Sequence, residues 1–168
     1  LCLKLKINQA VFKITIYTDG SSLGNPGPGG YGTVLISGKH RKEISEGFRL
    51  TTNNRMELLS VILGLEALKQ EGQTVEIFSD SKYVVDAVQK KWVFNWEKTG
   101  FKNKKNSDLW KRFLIIYKNH KVTLNWIKGH SQIKENERCD LLATEAAKNK
   151  NLNIDYFYEA TLNENNLL

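Results

Sequence analysis

Residues 14–32 read ITIYTDGSSLGNPGPGGYG, and the reading of this stretch decides the fold. Ile14 and Ile16 alternate with Thr15 and Tyr17, the two-residue period of a β-strand with one face in a core. The run stops at Asp19-Gly20, where a turn is expected, so a carboxylate is expected at a strand's end. The glycines and prolines that follow favour neither a helix nor a central strand. A fixed loop is expected there, leading into a second apolar run from Thr33 to Ile36. Gly27 to Gly32 matches G-x-G-x-x-G letter for letter, but it contains Pro28 and opens a strand rather than a helix, which excludes a dinucleotide-binding loop.

Working outward, a polar connection and a run near Arg41 to Arg49 complete a meander of antiparallel strands. The period then changes. From Arg55 to Gln70 the residues Met56, Leu58, Leu59, Val61, Ile62, Leu63, Leu65 and Leu68 are apolar nearly all round a helix, as in one buried on most sides. Val75, Ile77 and Phe78 form a short strand ending at Asp80, and Ser81 to Gln89 returns to helical spacing. Val122, Leu124 and Trp126 form a last strand, followed by a turn at Gly129-His130 and a helix from about Lys134 to Lys148. Strands separated by helices pair in parallel. The expected fold is therefore α/β, a five-stranded mixed sheet with an antiparallel hairpin half and a parallel half, flanked by helices.

The bulk composition bounds the function. A chain of 168 residues is the size of one domain, and its net charge of +7 favours a polyanionic partner, nucleic acid foremost. Between Lys82 and Lys128 twelve Lys or Arg face only Asp86, Glu97 and Asp108, so the middle of the chain is the cationic face. Asn151 to Leu168 holds Asp155, Glu159 and Glu164 with no basic residue, and its Asn-rich end at Asn163, Asn165 and Asn166 is expected to fray. Cys2 and Cys139 suggest neither a disulfide framework nor a metal knuckle, which points to a reducing, intracellular setting. No run reaches the ~18 apolar residues of a membrane span. The opening LCLKLKINQ has lysines where a signal peptide needs an apolar block. A cytoplasmic monomer with no membrane partner and no small-molecule cofactor is expected. The alternation of Leu1, Leu3, Leu5 and Ile7 suits either an extra strand or an appended segment.

Other acidic residues have positions that match Asp19. Asp19 and Asp80 both fall at the C-terminal ends of strands that should be parallel neighbours, where open α/β sheets place their ligands. Glu57 follows Asn54 by three, which equally suits a capping box at a helix N-terminus. Against that, Ser60 and Gly64 at i+3 and i+7 give a strip of small residues beside the carboxylate, as though something must approach closely. Asp80 also suits a helix N-cap, and Asp140 a solvated helix position. The helix after the last strand, however, brings Asp140 back across the same sheet edge. Four carboxylates in one pocket repel, and hard divalent cations that take oxygen ligands relieve the repulsion, magnesium or manganese best.

The strings TDGSSLGNPGPGGYG, TTNNRMEL, SDSKYV, DLW and KGH with ENERCDLLA resemble type 1 ribonuclease H, in the right order, from about Phe12 to Lys148. The resemblance implies an N-terminal extension over residues 1–11, a catalytic domain over 12–148 and a C-terminal tail over 149–168. It implies a metal-dependent endoribonuclease that hydrolyses the RNA strand of an RNA/DNA hybrid with two magnesium ions, manganese substituting, and leaves 5′-phosphate and 3′-hydroxyl ends. Asp19, Glu57, Asp80 and Asp140 would be the metal ligands. Asp19 would bridge both ions, Asp140 would help hold the one that activates water, and Glu57 with Asp80 would hold the one at the leaving group. Two ions about 4 Å apart make a protein nucleophile unnecessary. A lone His in a turn is usually only a turn residue; by resemblance, His130 moves protons or helps release product.

Substrate contacts are expected from Ser22, Asn25, Thr52, Asn53 and Asn54. The amides can both donate and accept, as reading a 2′-hydroxyl and minor-groove edges requires, although turn and cap chemistry accounts for Asn54 equally well. Trp92, Trp96 and Phe101, interleaved with Lys90, Lys91, Lys98, Lys102, Lys104 and Lys105, look like the family's basic protrusion, which grips the DNA strand. An amphipathic surface helix pair with its Trp packed inward is the plainer alternative. The chain departs from the family's pattern in a shortened basic loop at Asn103 to Ser107 and in the turn at Ser131 to Lys134. Lys82 also stands where Gln is common, and Ser22 where Cys is common. A catalytically silent hybrid-binding module would need a missing carboxylate, and none is missing.

Overall fold

The computed structural model describes residues 13–165; the extension expected at 1–11, its alternating leucines, and Asn166 lie outside the described residues. Strands β1 (Ile14–Ser22), β2 (Gly27–Ser37) and β3 (His40–Thr51) form the antiparallel meander. Strand β4 (Thr74–Ser79) pairs parallel with β1, and β5 (Lys121–Trp126) parallel with β4, so the five-stranded mixed sheet has the order β3-β2-β1-β4-β5. Helices α1 (Asn53–Glu66), α2 (Lys82–Gln89), α3 (Trp92–Lys98) and α4 (Ser107–Tyr117) build the larger core against the sheet, and α5 (Lys134–Ala147) covers the other face through Cys139 and Leu142 on Val34. A sixth helix, α6 (Tyr156–Asn165), follows. Among the described residues, no helix is long and apolar enough to cross a membrane.

Two expectations about the opening stretch are corrected. β1 does not end at Asp19; it runs on antiparallel to β2, with Asp19 opposite Gly32 and Ser22 opposite Gly29. What ends is the ladder to β4, whose last pair is Thr18 with Ser79. Asp19 therefore stands where β1 loses one neighbour and the sheet opens. The glycine-rich segment is likewise strand from Gly27 onward rather than loop. Its glycines answer to close approach: a Cβ at Gly32 would lie 2.2 Å from the Cys139 carbonyl oxygen, and one at Gly30 2.5 Å from that of Ala143. The backbone of α5 rests directly on β2, which no larger residue permits.

Helix α1 shows the same economy of space. Gly64 packs on the side chains of Ile16 and Thr33, and the Ser60 carbonyl accepts a 2.9 Å hydrogen bond from Thr33 Oγ1. The strip of small residues is thus filled by the sheet and leaves no room for a ligand. Thr52, rather than Asn54, caps α1, its Oγ1 accepting from the Arg55 amide at 3.4 Å. That frees Glu57 from the capping box. The helix also stops at Glu66, short of Gln70. At α2 the N-cap position belongs to Ser81, so Asp80 sits between strand and helix with its carboxylate uncommitted to capping.

The chain after α5 is not a frayed tail as far as Asn163. Asn153 forms a parallel bridge with Phe48 of β3, and α6 is fastened to the sheet by Arg49 to Glu159 and to α1 by Arg55 to Asp155.

Candidate active site

Three elements deliver carboxylates to the opening beside β1. Asp19 comes from the strand itself, Glu57 from the second turn of α1, and Asp80 from the end of β4, and one oxygen of each lies within 4.8 Å of the others. Their closeness depends on Gly20, where a Cβ would lie 2.2 Å from the Glu57 amide nitrogen, and on Gly129, where it would lie 2.6 Å from Asp80 Oδ2. The Gly20 amide donates to Asp19 Oδ1 at 2.7 Å, Asn53 Nδ2 donates to Glu57 Oε1 at 3.4 Å, and Trp126 Nε1 donates to the Asp80 carbonyl at 3.0 Å. Glu57 Oε2 is buried without any partner.

Asp140 falls in an adjoining group rather than in this triad. It stands with His130 and Glu137, donor atoms again within 4.8 Å, while its charge still raises the carboxyl groups of Asp19 and Asp80. Glu137 was not singled out from the sequence, although it lies three residues before Asp140 and hence on the same helical face. His130 is exposed in a left-handed turn (φ 51°), with Nδ1 3.8 Å from Glu137.

The electrostatics are unfavourable as they stand. Burial, then Asp80, pushes the Asp19 carboxyl up to about 8. Burial, then Asp19 and Asp80, holds Glu57 well above the usual carboxylate range, and burial raises Asp80. Each charge makes its neighbours harder to ionise, and the lone Glu57 oxygen is a buried acceptor with nothing to accept from. An all-oxygen donor set in that condition fits hard divalent cations such as magnesium or manganese.

The expected substrate residues divide by location. Asn25 Oδ1 accepts from the Asn53 amide at 3.2 Å, which ties the loop after β1 to the start of α1 next to Glu57. Thr52 caps that helix and Asn54 is exposed beside it, while Ser22 lies at the far end of β1 opposite Gly29. Trp92 is 44% exposed with Lys90 Nζ 5.0 Å from its ring centroid. Trp96 is only partly exposed, edge-on to Trp110 at 5.7 Å, and Phe101 is buried, so the plainer reading holds for Phe101. Lys98, Lys102, Lys104 and Lys105 are all exposed, with Lys104 Nζ 5.1 Å from the Trp96 centroid.

The RNase H family model matches residues 12–148. The chain is 52% identical over 151 residues to the ribonuclease H of Syntrophus aciditrophicus, covering 87% of each, and 53% identical over 153 residues to that of Desulforamulus reducens, covering 88% and 96%. Among solved structures, LC9-RNase H1, a type 1 RNase H, superposes with a TM-score of 0.74 at 32% identity over 82% of this chain and 72% of that one. LC11-RNase H1, solved in complex with an RNA/DNA hybrid, gives 0.63 at 28% identity over 80% and 96%. With half of its residues shared across nearly the full length of such relatives, the chain belongs to the RNase H family.

Proposed function

We propose that the chain is a metal-dependent endoribonuclease that hydrolyses the RNA strand of an RNA/DNA hybrid, with residues 12–148 as its catalytic unit. The observation that carries the reading is the triad of Asp19, Glu57 and Asp80, the first two buried and the third half-buried, mutually repelling and holding an orphaned Glu57 oxygen at the opening of the sheet. The hybrid-bound structure of LC11-RNase H1 supports the substrate class. Asp19 shares the triad with Glu57 and Asp80 and also feels the charge of Asp140, so Asp19 would serve both magnesium ions, Glu57 and Asp80 would help hold one of them, and Asp140 the other. When bound, these ions, or manganese in their place, supply the positive charge that makes water a nucleophile and offsets the charge on the departing 3′ oxygen, giving 5′-phosphate and 3′-hydroxyl ends.

The chain's own groups do the remaining work. His130, exposed at the mouth and beside Glu137, is placed to carry protons between the site and solvent. Asn25 and Asn53 hold one another at the start of α1, where amide groups meet a minor-groove edge and its 2′-hydroxyls. Ser22, Thr52, Asn54, Trp92, Trp96, Lys98, Lys102, Lys104 and Lys105 complete the proposed binding surface.

The test is cleavage of one labelled sequence prepared as RNA/DNA hybrid, duplex RNA, single-stranded RNA and duplex DNA, with magnesium or manganese present. Cleavage confined to the RNA of the hybrid is the expected result. Equal cleavage of duplex RNA, or binding of the hybrid without cleavage, overturns the reading, the latter in favour of a silent binding module.

A further inference from the structure

One uncharged side chain is built into the carboxylate cluster. Asn136 is the third residue of α5 and only 2% exposed, one helical turn before Asp140 and so on the same face of the helix. Its side chain is hydrogen bonded to the Asp80 carboxyl group. A carboxylate accepts, so the amide nitrogen donates, and the amide oxygen Oδ1 is left buried without a partner. Among the described residues four buried side-chain atoms are orphaned in this way, and two of them, Glu57 Oε2 and Asn136 Oδ1, belong to the triad or to a group bonded to it. The helix is seated without this bond. Glu135 is held by Arg41 at 2.8 Å, Arg138 donates to Glu43 at 3.0 and 2.8 Å, and Cys139 and Leu142 pack on Val34 of β2. A buried Asn that leaves an acceptor unpaired and is not needed to hold its helix calls for another reason.

We propose that Asn136 is a positioning residue of the cation site: its N–H fixes the Asp80 carboxylate beside Asp19 and Glu57, and its free oxygen accepts from water that enters with a divalent cation. This rests on the metal-dependent reading above. Asp80 is the least buried of the triad and so the freest to swing out of it. Gly129, where a Cβ would lie 2.6 Å from Asp80 Oδ2, closes in on that carboxylate, and the Asn136 amide supplies the hydrogen bond that fixes it. Burial raises the Asp80 carboxyl, and the bond from Asn136 works against that rise without adding a charge. A Lys in this place would also donate but would repel the cation, and an ionised Asp would attract the cation but have nothing to donate. Magnesium gives up its waters reluctantly and keeps several when bound, so a site for it needs acceptors as well as ligands. Because Asn136 and Asp140 share a face of α5, the same turn of helix ties Asp140, His130 and Glu137 to the triad.

The experiment removes the amide in two ways. Asn136→Ala deletes it, and Asn136→Leu fills its space without a polar atom, which guards the fold where a void would not. Manganese binding is read from the loss of the free ion's paramagnetic resonance, binding of a labelled RNA/DNA hybrid is measured in EDTA, and thermal unfolding in EDTA checks the fold. Both variants are expected to bind manganese about tenfold more weakly, the low end of what losing the partner behind a metal ligand costs, with hybrid affinity in EDTA equal to the parent's. At limiting magnesium kcat should fall with KM for the hybrid unchanged, and it should recover as magnesium is raised, which damage to the fold would not allow. Parent-like manganese binding in both variants overturns the proposal, as does a loss of hybrid affinity in EDTA as large as the loss of metal affinity, or failure of both variants to fold. A parent that binds no manganese overturns the metal-dependent reading itself, whereas a parent that binds it and variants that match it overturn the role of Asn136 alone.

Discussion

Arg55 and Asp155, 100 positions apart, are joined in the interior by hydrogen bonds of 2.6 and 2.8 Å from Nε and Nη2. The same guanidinium donates to both oxygens of Asp108 at 2.9 and 2.8 Å, so one cation ties α1 to α4 and to the start of α6. The Arg55 side chain is 3% exposed and that of Asp155 8%. Removing one partner of such a pair strands a buried charge, at a cost of about 3 kcal/mol, the lower end of the range because Asp108 remains. Asp155→Ala should therefore lower unfolding stability by about that amount in urea titrations. A loss below about 1 kcal/mol would mean that water satisfies Arg55 and the pair adds little.

The carboxylate triad should make the metal-free protein less stable as pH rises. The folded state lifts the Asp19 carboxyl from its ordinary 3.8 to about 8, and lifts Glu57 in the same direction. The native state then holds protons that the unfolded chain has released, so stability present below the ordinary carboxylate range is lost as pH climbs to about 8. In EDTA the urea midpoint should fall between pH 5 and pH 8, and Asp19→Asn, which cannot ionise, should flatten that fall and exceed the parent at pH 8. Magnesium should restore the parent at pH 8 by stabilising the charged form. A midpoint that does not change with pH in EDTA would show that the triad ionises freely.

Glu57→Gln and His130→Ala should separate metal binding from proton transfer. The amide keeps the shape of Glu57 while removing its charge, so magnesium-dependent cleavage should vanish with hybrid binding in EDTA intact. His130 is exposed and lies outside the triad, and its loss should cost roughly a hundredfold in kcat, toward the lower end of general acid-base effects, with little change in KM. Measured side by side, equal and complete losses would make His130 a ligand. No loss at all would leave it a turn residue.

What the sequence discloses follows from how local each cause is. Alternation in Ile14 to Tyr17 and in Val75 to Phe78, with a helix between, is enough to make β1 and β4 parallel and to bring Asp19 near Asp80. Gly30 and Gly32 read as loop because their reason, the backbone of α5 lying on β2, is more than a hundred residues away. Likewise Asp155 and Glu159 look like solvated charges until Arg55 and Arg49 are seen to hold them. Asp140 illustrates an intermediate case. Its helix could be expected at the right sheet edge, but its grouping with His130 and Glu137 depends on where the turn after β5 directs the chain.

The cationic loop offers a test in which charge alone is removed. Lys102, Lys104 and Lys105 are exposed, but of these only Lys104 and Lys105 line the groove between the start of α1 and α6, and Lys104 is steadied over the Trp96 ring. Each lysine that meets a DNA phosphate releases counterions on binding, so log affinity falls with log salt by ~0.7 to 0.9 for every phosphate neutralised. Replacing Lys104 and Lys105 together with Ala should flatten the slope by at least about one unit, whereas Lys102→Ala should change it by less than half a unit. KM should rise with the double change, and kcat at saturating hybrid should hold because the carboxylates are untouched. Binding isotherms at several salt concentrations in magnesium-free buffer read the slopes directly. An unaltered slope in the Lys104 and Lys105 double variant would mean that both side chains point into solvent and the DNA strand is gripped elsewhere; a larger effect at Lys102 would move the phosphate path out of the groove and toward the tip of the loop.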